Sequence, residues 1–241
     1  MIGESPNNYQ RSLIERSLAM QAQAHQLQVK ARLLTQAVMQ IERSKKRLKT
    51  LNAELSHEIE VRKQIEERIR HMASHDALTG LPNRALFKDR LESARNLAVR
   101  NRQKLAVLFV DLDDFKRVND TFGHEGGDQM LQEVSRRLLL TVRMSDTVAR
   151  LGGDEFIVLL NGVSSRKSTE EVVKKILAVL GEPVTLTSGE ISAHVSIGVS
   201  LFPEHGDDID KLISLADRAM YDIKESGKNS FAFHSIGHIR R

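Results

Sequence analysis

Thr147-Val148-Ala149-Arg150-Leu151-Gly152-Gly153-Asp154-Glu155-Phe156-Ile157-Val158-Leu159-Leu160 is two strand-like runs divided by a pair of glycines. Such a pair between two β-prone runs signals a hairpin. Two acids, Asp154 and Glu155, follow the turn directly. Glycines lack side chains, so a phosphate could come close to the backbone there. Upstream, Leu105-Ala106-Val107-Leu108-Phe109-Val110 is short and wholly apolar, which predicts a strand buried on both faces. It ends in Asp111, Asp113 and Asp114. Carboxylates at the end of a buried strand are costly unless something cationic sits beside them. On these residues alone, a solvated turn with a helix cap and a metal site are equally good readings. If the hairpin lies beside this strand, Asp111 and Asp154 converge. Carboxylates that hold two Mg²⁺ ions can activate a hydroxyl and stabilise a phosphoryl leaving group. Magnesium favours one or two carboxylates completed by substrate phosphates.

The remaining elements fall around these two. Gly80 and Pro82 end a preceding helix, and Asn83 is placed to cap a new one over about 84–101, with Leu86, Phe87, Leu91 and Leu97 on its apolar face. Thr121 to Asp128 reads as a glycine-rich loop opening a helix over about 128–141, lined by Leu131, Val134, Leu138 and Leu139. A loop of that kind can cradle phosphate, but its spacing matches neither a P-loop nor a dinucleotide fingerprint. A helix over about 168–181, a strand from Ile191 to Leu201, a helix over about 209–226 and a short strand over 230–234 complete the order. The expectation is an α+β fold: a ferredoxin-like, palm-type βαββαβ domain with a central, mainly antiparallel sheet and an extra helix and hairpin.

Residues 10–70 contain neither Pro nor Gly. Leu13, Met20, Leu27, Leu34, Ile41, Leu48 and Leu55 recur every seven residues. A weaker companion seam reads Ser17, Ala24, Ala31, Val38, Lys45, Asn52 and Ile59. Two seams at this spacing indicate a coiled coil; the rival reading is one long helix packed on another domain. Lys45 and Asn52 are polar seam residues of the kind that fix register and favour a parallel dimer. The period slips at Arg62 and resumes at Ile65, Ile69 and Met72, a break that locally changes the supercoil and could pass a rotation onward. The expected division is a helical coiled-coil stalk over 1–72 and a catalytic domain over 73–241.

Charge separates the two parts. Of 36 basic and 32 acidic residues, 13 and 8 lie in residues 1–70, so the remainder is slightly acidic. A nucleic-acid binder is therefore not expected, and with 4 % aromatic residues and no Trp a base-stacking platform is not either. The absence of cysteine excludes disulfides and thiolate chemistry and fits a reducing cytoplasm. No apolar run reaches the length of a membrane span, and the opening MIGESPNNYQ lacks the pattern of a secretory signal.

Arg150 to Phe156 resembles the motif that names the GGDEF family. Its other hallmarks stand in order: DALTGLPNR at 76–84, DLDDFKRVND at 111–120, GHEGGD at 123–128 and ADRAMYDIKESGKN at 216–229. The resemblance implies a diguanylate cyclase that condenses two GTP into cyclic di-GMP. It implies two Mg²⁺ per active site, or Mn²⁺ in their place, with Asp111, the Leu112 carbonyl and Asp154 as ligands. Asp154 is then also the base for the 3′-hydroxyl, with Glu155 supporting it. Asn119 and Asp128 are similar to the residues that read guanine, and His124 lies beside ribose and base in the family. Gly152 and Gly153 let phosphates approach, while Lys116, Lys224 and Lys228 resemble phosphate contacts. The family usually carries Arg near position 228, so a bidentate contact is lost there. Arg143 and Asp146, an RxxD pattern just before the hairpin, resemble the inhibitory site for cyclic di-GMP; Arg117 and Asp120 fit the bare pattern too, and a surface ion pair is the alternative. The expected partners are GTP, cyclic di-GMP and a second copy joined through the stalk, with the upstream sensor unidentified. Rival readings are a non-catalytic GTP or cyclic di-GMP binding module, a scaffold acting through its stalk, and a cyclase making another dinucleotide, against which Asp128 argues.

Overall fold

The computed structural model describes residues 6–187 and 189–235. The first five residues, read above for a leader, and 236–241, within the expected C-terminal domain, lie outside the described residues. The chain divides into two compact units, Met1–Glu67 and Arg68–Arg241.

The first unit is helical. Helix α1 spans Pro6–Ser74 without interruption, through the slip at Arg62. Both seams of its heptad repeat are exposed along their whole length, from Leu13 to Ile59. No helix among the described residues is long and apolar enough to cross a membrane.

The second unit is built on a five-stranded sheet, ordered β2-β3-β1-β6-β7. Its strands are β1 (Lys104–Leu112), β2 (Thr147–Gly152), β3 (Glu155–Val163), β6 (Val195–Phe202) and β7 (Phe231–Phe233). All pairs are antiparallel except β6 with β7. A separate hairpin joins β4 (Pro183–Leu186) to β5 (Gly189–Ser192). The helices are α2 (Arg84–Asn101), α3 (Phe115–Thr141), α4 (Arg166–Leu180) and α5 (Ile209–Ser226). This is the expected α+β architecture.

Strand β1 is apolar on both faces because both are covered. Side chains alternate across a strand. Ala106, Leu108, Val110 and Leu112 join the core formed with Val134 and Leu138 of α3 and Val173 and Ile176 of α4. Leu105, Val107 and Phe109 join a second core with Phe87 and Leu91 of α2 and Leu212 and Ala216 of α5. Asp111 continues this second set, so it is aimed at α5. Helix α5 lies close on the sheet at Gly198, where a Cβ would overlap the Ala216 carbonyl oxygen and the Met220 amide nitrogen.

The sequence places most elements, and the departures have local causes. Asn83 caps α2 as expected, its side chain accepting from Ala85 N and Leu86 N at 3.0 and 3.1 Å. Leu97 and Leu139 are both more than half exposed; at the end of α2, Ala98 takes the inward position instead. Helix α3 starts at Phe115 rather than near 128 and runs on through a kink at Gly123, where φ is +73°. The strand expected from Ile191 to Leu201 is two strands, β5 and β6, separated at Ala193-His194, and β5 turns back to pair with β4.

His205 is buried, and its Nδ1 accepts a hydrogen bond from Leu201 N at 3.0 Å, which a doubly protonated ring could not do. Burial pushes its pKa below the usual histidine value; Glu204 works in the opposite direction, and His234 and Arg166 reinforce the fall. The unfolded chain therefore takes up this proton first as pH falls. The stabilising contribution is full above about pH 6.5 and is lost as pH drops below that toward the depressed folded value. Denaturant unfolding at pH 7.5 and 5.5 is expected to show the parent losing more stability than His205→Gln over that interval; equal losses would exclude the imidazole as the source.

Candidate active site

The site forms where β1 and β3 end together. Antiparallel pairing sets Asp111 opposite Glu155, and Leu112 N donates to Asp154 O at 3.3 Å. The hairpin therefore does lie beside the β1 strand, and the acids after the glycine turn sit at the mouth of the strand that carries Asp111. Gly152 and Gly153 have φ of +142° and +54°, and a Cβ on either would meet nothing within 4 Å. The turn thus requires glycine for its backbone and faces open space.

The three acids that end β1 have three different surroundings. Asp111 is 5 % exposed, and Lys224 Nζ of α5 stands 2.5 Å from its Oδ1. The ammonium is at ion-pair distance but poorly aligned, so this buried oxygen has no well-directed hydrogen bond. Burial pushes the Asp111 carboxyl up to about 6; Lys224 opposes the rise, and the charges of Asp154 and Glu155 add to it. Asp113 is also buried, yet fully engaged. Ser196 Oγ donates to its Oδ1 at 2.7 Å, Asn229 N donates to its Oδ2 at 2.9 Å, and its own amide donates to His194 O at 2.8 Å. It pins the turn of Lys228 and Asn229, two non-glycine residues with positive φ. Asp114 is exposed and pairs with Lys228 Nζ at 2.6 Å. It occupies the N-cap position of α3 with φ of +56° but its side chain makes no capping bond. Asp113 is thus buried and bonded rather than solvated, Asp114 is exposed but caps nothing, and Asp111 is a buried carboxylate beside an ammonium.

Glu155 is half-buried, and its carboxyl is raised by burial and by the charges of Asp217 and Asp154, against the pull of Arg84. The charges of Asp154 and Glu155 reach Asp111, and with the Leu112 carbonyl these acids offer oxygen donors only. That chemistry fits a hard divalent cation whose remaining positions are filled by phosphate and water. Among the described residues no group of three or more His, Asp or Glu stands close enough together to hold a metal ion.

The residues expected around the nucleotide lie on α3, on α5 and in the turn that follows α5. Gly126 and Gly127 are not a loop but buried turns of α3. A Cβ on Gly127 would overlap Asn119 Oδ1. The glycine therefore lets the Asn119 carboxamide lie against the helix, one residue before Asp128. Lys116, His124 and Asp128 are exposed, and Lys224 and Lys228 are brought to the β1 end by their acids. Asp146 builds a turn: Arg143 N and Asn161 N donate to its two oxygens at 3.0 and 2.9 Å. The two side chains of the RxxD pattern thus do not pair, and the exposed Arg143 guanidinium makes no ion pair among the described residues. Sequence reasoning named Asp113 without its partner and missed Ser196, because their contact joins residues far apart in the chain.

The sequence matches the family described as "Diguanylate cyclase, GGDEF domain" over residues 73–230, and the chain belongs to that family. It is 44 % identical over 161 residues to the diguanylate cyclase TpbB of Pseudomonas aeruginosa, covering 66 % of this chain and 37 % of the relative. It is 44 % identical over 165 residues to the bifunctional diguanylate cyclase/cyclic di-GMP phosphodiesterase MucR of the same species, covering 67 % of this chain and 24 % of the relative. The chain thus spans well under half the length of either. Among solved structures it resembles the coiled coil and GGDEF domain of DgcB from Caulobacter crescentus in complex with c-di-GMP. The TM-score is 0.69 and the identity 26 %, covering 77 % of this chain and 98 % of that one.

Asp111 and Asp113 are expected to respond oppositely to substitution. Asp113→Ala removes the acceptor of two hydrogen bonds, leaves buried donors unmatched and should lower unfolding free energy by about 2–3 kcal/mol. Asp111→Asn removes a carboxylate whose folded pKa is raised. The penalty it relieves is absent below about pH 4, grows toward pH 6 and is full at pH 7. At pH 7 this variant should be about 1–2 kcal/mol more stable than the parent. Chemical denaturation of both variants at pH 7 checks the pair, and a destabilised Asp111→Asn would contradict the assignment.

Proposed function

We propose that this chain is a diguanylate cyclase that condenses two GTP into cyclic di-GMP and two pyrophosphates, with residues 1–72 as a dimerising stalk and 73–241 as the catalytic domain. The observation that carries this reading is the meeting of Asp111 with Asp154 and Glu155 at two paired strand ends, beside a glycine turn open to solvent. Asn119 and Asp128 read the base: a carboxylate accepts from guanine N1–H and N2–H₂, a donor pair that adenine lacks. Lys116, Lys224 and Lys228 supply point charges for the triphosphate, and His124 borders ribose and base. Asp111, the Leu112 carbonyl and Asp154 would hold two Mg²⁺, which supply charge neutralisation at the phosphates and lower the pKa of the attacking hydroxyl. Asp154 accepts the 3′-hydroxyl proton, with Glu155 holding its field. Each 3′-oxygen forms a bond to the α-phosphorus of the other nucleotide; the bond from that phosphorus to the bridging oxygen breaks, and pyrophosphate leaves.

The product is two-fold symmetric, so two domains must face each other. The exposed seams of α1 support a parallel coiled-coil dimer that raises the effective concentration of one domain at the other, worth factors of about 10²–10⁴. The unpaired Arg143, on a turn held by Asp146, suits a guanine face or phosphate of cyclic di-GMP and supports product inhibition there.

Incubation of the purified chain with GTP and Mg²⁺, with nucleotides separated by chromatography, is expected to yield cyclic di-GMP. Asp154→Asn should lower the rate at least 10³-fold, and Arg143→Ala should retain the rate while losing inhibition by added product. Tight nucleotide binding without turnover, at concentrations that ensure dimers and with bound product removed, would make the chain a binding module instead.

A further inference from the structure

The segment Asp76–Arg84 is part of the family resemblance, yet none of the roles above uses it. In the structure it grips the glycine turn through one side chain. Arg150 NH1 lies 2.9 Å from Asp76 Oδ1, while its Nε and NH2 donate to Gly153 O at 3.0 and 2.7 Å. The Arg150 side chain is only 10 % exposed. Asp76 is itself fixed: the same Oδ1 accepts from Thr79 N at 2.9 Å and Thr79 Oγ1 at 2.6 Å. Asp76 N donates to Leu81 O and Gly80 N donates to Asp76 O, so the loop is closed on itself. Arg150 N donates to Pro82 O at 3.0 Å, tying β2 to the same loop.

We propose that Arg150 is a positioning residue that orients the Gly153–Asp154 peptide, and through it the Asp154 carboxylate, with Asp76 holding the guanidinium in place. A peptide group is planar and trans, so a carbonyl held on one side sends the following N–H to the other. Arg150 holds the Gly153 carbonyl; the Asp154 N–H is thereby directed away from Arg150. The next carbonyl, that of Asp154, is held by Leu112 N. Both peptide groups that flank Asp154 are therefore pinned, one by β1 and one by Arg150. The restraint matters because the turn before Asp154 is two glycines, the residues with the most backbone freedom to lose. A planar fork can meet Gly153 O and Asp76 together; a lysine ammonium is a single point and cannot.

The inference rests on the proposed function for its kinetic consequence but not for its structural one, and two readouts separate them. Backbone amide order parameters from ¹⁵N relaxation, measured on the full chain, are expected to fall at Gly152, Gly153 and Asp154 from about 0.85 to below about 0.6 in Arg150→Lys and in Asp76→Asn. In the same variants kcat should fall about tenfold or more while KM for GTP stays within about twofold, because Asn119 and Asp128 are untouched. Millimolar guanidinium should restore part of the rate of Arg150→Ala and none of the rate of Asp154→Asn. Unchanged order parameters in Arg150→Lys overturn the proposal whatever the activity. So does a parent-like kcat in that variant, or a loss of rate that only tracks a lost folded fraction. A parent that makes no product while the variants still loosen the turn would overturn the function and leave the positioning role standing.

Discussion

The site depends on a carboxylate held where a carboxylate is unstable. Asp111 sits in line with the apolar residues of β1 that face α5, and burial holds its pKa near 6. What makes it tolerable is Lys224, which α5 delivers to the strand end. A charge pair in such a place rarely adds stability, since the cost of desolvation consumes most of the attraction. Its presence is better explained by use. This oxygen has no well-directed donor and feels an ammonium and the charges of two further acids.

The other elements serve this arrangement at increasing distance. Asp113, adjoining but fully bonded, locks β6 and the 228–229 turn to the end of β1. Lys228, in that turn, pairs with Asp114 at the same strand end. On the opposite side, Arg150 and Asp76 hold the turn from which Asp154 and Glu155 emerge. The chemistry is thus concentrated in residues that carry few structural bonds, while their neighbours carry many.

The sequence makes elements legible where the signal is local. The glycine pair at 152–153, the Asn83 cap and the helix over about 209–226 need only nearby residues, and each appears in the structure. The start of α3 was hidden because Gly123, Gly126 and Gly127 look like a loop. In the structure Gly126 and Gly127 are buried helical residues packed on Phe122 and Asn119, and only Gly123 keeps a non-helical backbone. Leu97 and Leu139 read as core because they extend an apolar face, but the neighbouring Ala98 and Leu138 take the inward positions and turn them outward. The distinction among Asp111, Asp113 and Asp114 was illegible for another reason. Their partners, Lys224, Ser196 with Asn229, and Lys228, come from distant segments that pattern alone cannot bring together.

Gly198 gives the site a property of its own. At this point α5 meets β6 through main-chain atoms, the Ala216 carbonyl and the Met220 amide, rather than through interlocking side chains. Lys224 is one helical turn beyond Met220. The separation between helix and sheet is therefore referenced to the backbone, whose dimensions do not vary with sequence. The interface behaves as a machined stop: the reactive end of the domain inherits its dimensions from the polypeptide itself, and variation in the packing around it is absorbed without being passed on.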